Sequence, residues 1–150
     1  MDVDKILADH KLFLKNQGGN CADLRSADLR SADLRSADLR FADLRSADLR
    51  FANLPAPTMI LLADWHQLSD AITLALMRLD CSACLDGKKK FELWSKGGEC
   101  PYENARFQQV ANFQEKRDLW SYGPPPSIIN CAKMVLDECC PGWNNQQETQ

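Results

Sequence analysis

Apolar and polar residues alternate in three different ways along this chain. In residues 2–16 (DVDKILADHKLFLKN) a stripe of Val3, Ile6, Leu7, His10, Phe13 and Leu14 follows helical spacing. Asp2 or Asp4 serves as its N-cap, and Gly18-Gly19 provides the exit. From Ala22 to Leu54 the period is five: leucine stands at positions 24, 29, 34, 39, 44, 49 and 54, with alanine two residues before each. Beyond Pro57 helical spacing returns. Ser69 caps a helix through Asp80 that buries Ile72, Ala75, Leu76 and Leu79. A shorter helix opens at Asp86 or Gly87, carries Phe91 and Trp94, and closes at Gly97-Gly98. Cys100-Pro101-Tyr102 reads as a turn, with Phe107 and Val110 on a short helical stretch after it. Asn112-Phe113-Gln114-Glu115 resembles a capping box that starts a helix through Trp120, and Gly123-Pro124-Pro125-Pro126 breaks it. Ser127 caps a last helix, Ile128 to Cys139, with Ile128, Cys131, Met134 and Val135 inward.

The five-residue period excludes the simpler architectures. Five residues turn a straight helix by about 500°, or about 140° net, so the leucines would spiral around the axis without forming a stripe. A heptad coiled coil fails for the same reason. A flat strand fails because an odd period exchanges faces at every repeat. The pattern works if the chain turns a corner once per pentapeptide, with Ala and Leu inward and Asp, Arg and Ser outward.

Written out, the segment is CADLRSADLRSADLRSADLRFADLRSADLRFANLP. With its A(D/N)LXX signature, it resembles the pentapeptide-repeat family. The resemblance implies a right-handed quadrilateral β-helix of under two coils, with twenty residues per coil. Leu24 would then lie under Leu44, Leu29 under Leu49 and Leu34 under Leu54. Cys21 would stack on Phe41 and Ser31 on Phe51, placing the two phenylalanines on opposite faces. So short a stack needs caps. The N-terminal helix would cover one end, and the apolar run Met59-Ile60-Leu61-Leu62 the other. The expected class is α+β, in four parts: a capping helix at 1–19, the repeat at 20–56, an all-α lobe at 57–143 and a flexible polar tail at 144–150. The lobe is similar to tails that follow short pentapeptide arrays in phage-encoded proteins, through its W-x-x-L-S-D, G-G-x-C-P-Y and N-F-x-E-K-x-x-L-W segments.

Charge narrows the partners. The chain carries a formal net charge of −3, and the repeat itself contains as many Asp as Arg. Nucleic-acid binding, which calls for a basic face, is therefore not expected. Lys88-Lys89-Lys90 reads as a solvated helix face. No apolar stretch approaches the roughly 20 residues of a membrane span, and the N-terminus lacks the pattern of a signal peptide. With seven cysteines, an odd number, a reduced cytoplasmic setting is expected.

Candidate chemistry is sparse. Cys81-x-x-Cys84 followed by Cys100, then Cys131 or the Cys139-Cys140 pair, is the one set with the spacing of a structural zinc site. Packed or idle thiols are the plainer reading, so neither a metal nor a cofactor site is assigned. His10 lies on the apolar stripe, where a packed imidazole is expected; His66 reads as a loop residue or a stray zinc ligand. No nucleotide-binding, zinc-protease or nucleophile-elbow motif is present. No catalytic residue is assigned either. Phe41 and Phe51 face outward, and docking onto the protein's own tail is their expected use. The reading that follows is a non-enzymatic, phage-type scaffold with an unidentified protein partner and its specificity in the helical lobe. Two alternatives are a zinc-stabilised helical module and a DNA mimic that binds a type II topoisomerase, a role known in the family. A short, neutral array speaks against the second.

Overall fold

A computed structural model describes residues 1–99, 101 and 113–144. Helix α1 spans Val3–Leu14, and the Asp2 carboxylate caps it by accepting from the Lys5 amide at 3.1 Å. Asp4 in the first turn and Lys11 in the last complement the helix dipole. Val3, Ile6 and Leu7 are partly buried and His10 is fully buried, whereas Phe13 lies at the exposed edge of the expected stripe and stacks on His10. The chain leaves α1 through Gly18 and Gly19, both at positive φ. A Cβ at Gly19 would meet the Asp9 carbonyl oxygen at 2.2 Å, so the close approach itself demands glycine.

In the repeat, each inward alanine from Ala27 to Ala52 donates its amide to the preceding leucine carbonyl, as in Ala27 to Leu24 at 3.1 Å, and this closes one corner. Ser26, Ser31, Phe41, Ser46 and Phe51 stand at or beside the corners with φ between 56° and 64°. Residues twenty apart are joined by parallel bridges, Asp23 with Asp43, Asp28 with Asp48 and Asp33 with Asn53. At the first of these the Leu24 amide donates to the Asp43 carbonyl and the Asp43 amide to the Ala22 carbonyl. Leu24, Leu29, Leu34, Leu39, Leu44 and Leu49 are at most 1% exposed.

The expected fold class is nevertheless corrected. Among the described residues there is no β-strand and no sheet, and the regular elements are all helices. The quadrilateral β-helix implied by the resemblance is not present; its place is taken by a wound stack held by isolated bridges. The reason is local. Each side of the winding offers a single bridging residue before the corner, and a ladder cannot propagate through backbone at positive φ.

The fourth side lacks even a bridge, because α2 (Pro57–Leu61) stands where a rung over Asp38 would run. The Leu39 amide donates to the Met59 thioether sulfur at 3.2 Å, in the role carbonyls play on the other sides. After α2 the winding resumes in altered form. Ala63-Asp64-Trp65-His66 replays Ala-Asp-Leu-Arg: Asp64 bridges Asp43, its amide donates to Ala42, and the Phe41 amide donates to Leu62. Trp65 takes the leucine position at 1% exposure, with its indole N–H on the Ile60 carbonyl.

The lobe is built from α3 (Asp70–Ala83), α4 (Gly87–Ser95), a 3₁₀ segment (Phe113–Leu119) and α5 (Ile128–Cys139). Ser69 and Ser127 cap α3 and α5 through the Ile72 and Asn130 amides. Non-helical backbone at Lys116 keeps residues 113–119 from forming the α-helix expected there. Phe91 packs against Trp94 and Trp120, with ring centres 5.7 and 4.8 Å apart. The lobe also grips the repeat: the Ser46 amide donates to the Cys139 carbonyl at the end of α5, and the Cys140 thiol reaches the Leu44 carbonyl. One apolar core therefore runs from Ala22 to Cys140. The readings at Cys100, Tyr102, Phe107, Val110, Asn112 and 145–150 fall outside the described residues.

Candidate functional site

The surface of the winding is a set of nearly identical ion pairs. In each repeat the Arg side chain folds back on the Asp two positions before it, at 2.6–2.7 Å for Asp23, Asp28, Asp33, Asp38, Asp43 and Asp48. The same carboxylate accepts the Arg amide, which fixes the turn and the side chain together. Arg25 and Arg30 also reach the next carboxylate up the stack, Asp43 at 3.6 Å and Asp48 at 3.8 Å. The fork from Arg holds Asp23, Asp28 and Asp33 at about 2, and it lowers Asp38 and Asp48 as well. At Asp43 desolvation pushes upward, but Arg45, its amide and His66 together outweigh it. A carboxyl group held this low cannot act as a general acid near neutrality.

His66 completes the pattern in place of an arginine. Its amide donates to the Asp64 carboxylate, and its Nε2 lies 3.2 Å from Asp64 and 3.5 Å from Asp43. This pairing with the repeat was not foreseen from the sequence. The signal for it was present as Ala-Asp-aromatic-His, once the leucine position is allowed to hold another large apolar residue. His10, by contrast, is the packed imidazole expected. Its Nδ1 accepts the Ala22 amide at 3.1 Å, and it is 1% exposed. Burial lowers its pKa, while the backbone of Arg40 and Asp38 opposes this in part.

The described cysteines form no metal-binding cluster. Cys81 and Cys84 lie at the end of α3, and Cys131, Cys139 and Cys140 lie on α5 or just after it; Cys100 is outside the described residues. Among the described residues no group of three His, Cys, Asp or Glu side chains is placed to hold a metal ion. Burial raises the pKa of the Cys81 and Cys131 thiols and pushes Cys139 up to about 11 and Cys140 up to about 12. Phe41 and Phe51 remain 42% and 47% exposed, so neither ring is buried against the tail as expected.

Among the described residues, concavities flank the winding. One, of about 430 Å³, lies between Arg45, Trp65, Leu68 and Glu138. Another, of about 420 Å³, separates α1 from the side that carries Asp33, Ala37 and Asp38.

Residues 22–55 match the family model for pentapeptide repeats, in eight copies. The match lies between α1 and α2, so it bears on the pentapeptide array and not on the lobe. No curated protein and no solved structure matches the chain. Among the described residues no helix is long and apolar enough to cross a membrane.

Proposed function

We propose that the chain is a non-enzymatic interaction protein in which the pentapeptide array serves as a rigid mount and the helical lobe carries the specific surface. One observation carries this reading: every Arg of the array folds back on the Asp of its own repeat, leaving a neutral face whose repeated pattern is broken only by the exposed rings of Phe41 and Phe51. Such a face has little capacity to distinguish one partner from another. The lobe is not repetitive, and it presents Leu85, Leu93, Tyr122 and Ile129 at more than half exposure. The family match supports a repeat protein without catalysis, and the array offers no carboxylate suited to proton transfer. The lobe's resemblance to tails in phage-encoded proteins makes a phage-borne gene neighbourhood the place to look for the partner.

Because Trp65 and Cys140 fasten the lobe to the array, the test uses the full chain. Leu93→Arg with Ile129→Arg should reduce capture of the partner at least tenfold from a lysate of the cell that makes the protein, measured by quantitative mass spectrometry. Phe41→Ser in the same assay should leave capture intact. The reverse pattern would move specificity to the array.

A further inference from the structure

The alanines of the array are not equally covered. Ala22, Ala27, Ala42, Ala47 and Ala52 are at most 5% exposed, but Ala32 and Ala37 are only partly buried. Helix α1 plugs the centre of the first coil, where Leu24, Leu29, Leu34 and Leu39 are closed off, and its His10 lies against the backbone of Asp38 and Arg40, but the rest of the helix leaves a gap beside Asp33 and Ala37. The cleft of about 420 Å³ is the result. Leu7, Lys11 and Leu14 of α1, with Lys15 just after it, form one wall, and Asp33 and Ala37 belong to the other.

Strand geometry fixes what Asp33 presents there. The Ala32 carbonyl and the Leu34 amide point up to Asn53, with bonds of 2.9 and 2.8 Å. In extended backbone, successive residues direct their polar groups to opposite sides. The Asp33 N–H and C=O therefore point down, towards the α1 end of the coil. Among the described residues they make no hydrogen bond. The Asp33 carboxylate is already held by Arg35, and Asp38 by Arg40. Lys11 and Lys15, one helical turn apart, carry no ion pair among the described residues. Asp4, the remaining carboxylate of the cleft, lies about 10 Å along the helix from Lys11.

We propose that this cleft receives an extended acidic peptide of a partner protein, which pairs with the open backbone of Asp33 and places a carboxylate on Lys11 and Lys15. An unpaired edge is a template for another chain, and the array itself supplies the register. A guest Ala-x-Leu would repeat the bonds that join Ala22 and Leu24 to Asp43: the Asp33 amide donates to the guest alanine carbonyl, and the guest leucine amide donates to the Asp33 carbonyl. Its apolar side chains would meet Ala37, Leu7 and Leu14. The inference goes beyond the lobe reading and uses none of its residues, so either can fail alone.

The probe is the peptide acetyl-Ala-Glu-Leu-Glu-amide, titrated into the ¹⁵N-labelled full chain. Saturable shifts should centre on the amides of Asp33 and Leu34. N-methylation of the peptide's leucine should weaken binding about tenfold, as expected for loss of one hydrogen bond with the protein unchanged. Lys11→Glu with Lys15→Glu, at exposed positions, should weaken it tenfold or more. The proposal is overturned if acetyl-Ala-Lys-Leu-Lys-amide binds as tightly, if N-methylation has no effect, or if the Asp33 amide does not move at millimolar peptide. It is also overturned if those amides shift with protein concentration alone and sedimentation shows a dimer, since a second copy would then be the occupant.

Discussion

In the pentapeptide array the side-chain polar contacts are short in sequence, each Asp engaging an Arg two residues on, and the bridges between coils join residues only about twenty apart. In the lobe they are long. Arg78 donates to Ser121 across 43 residues, Lys116 to Leu68 across 48, and the Ser69 amide to Glu138 across 69. One region is specified five residues at a time, the other only when the whole chain has closed. Local contacts form at small entropic cost, whereas the long ones require loop closure first. Residues 63–66 belong to both regions, for they follow the array's rule while Trp65 is buried at the point where the lobe attaches. Trp65→Ala is therefore the largest expected loss, about 3–5 kcal/mol. Urea unfolding followed by far-UV dichroism should still show one transition, at a lower midpoint. A separate, undisturbed array transition would show that the two regions do not share their core.

Protonation, which acts on several groups together, comes next in size and separates the array from its cap. The array's carboxylates have folded pKa values below the unfolded 3.8, with Asp23, Asp28 and Asp33 at about 2. The stability they contribute is present above about pH 4 and is lost as pH falls towards about 2. His10 begins to act at higher pH. Its folded pKa lies below 6.5, and its Nδ1 must stay unprotonated to accept the Ala22 amide. The stability from the neutral imidazole is full above 6.5 and declines as pH falls below it. The urea midpoint plotted against pH should show both limbs. His10→Gln keeps an acceptor without a titrating group, and should remove the upper limb while leaving the lower one. Survival of the upper limb in that variant would place it elsewhere in the molecule.

The same contrast explains what could be read from the sequence. The twenty-residue register was implied by the family resemblance, whereas the caps at Asp2, Ser69 and Ser127 and the burial of His10 are consequences of spacing and single-residue chemistry. They were legible for that reason. The absence of strands was not, because it depends on how few residues lie between corners at positive φ, a property of backbone angles. The role of Met59 was hidden as well: a thioether standing in for a carbonyl has no sequence signature, and it exists only because α2 interrupts the fourth side. Ala63–His66 escaped notice since Trp65 and His66 replace both residues that define the motif's rhythm. The cleft beside Asp33 follows from how α1 seats on the first coil, which no periodicity encodes.

The smallest expected effect has the opposite sign. Phe41 adopts φ 64° at a position where comparable repeats hold serine, as at Ser26, Ser31 and Ser46, and its ring is 42% exposed. A bulky side chain in the left-handed region is strained, whereas asparagine enters it readily. Only partial burial offsets that strain at Phe41. Phe41→Asn should therefore raise stability, by up to about 1 kcal/mol, seen as a higher urea midpoint with an unchanged slope. Trp65→Ala and Phe41→Asn then set the two limits of the comparison: an aromatic that joins the regions and one that stands strained on the surface of the array. A lowered midpoint in Phe41→Asn would mean that the ring contributes more by packing along the column above Cys21 than its backbone loses, and Phe41 would count with Trp65 among the residues that hold the winding together.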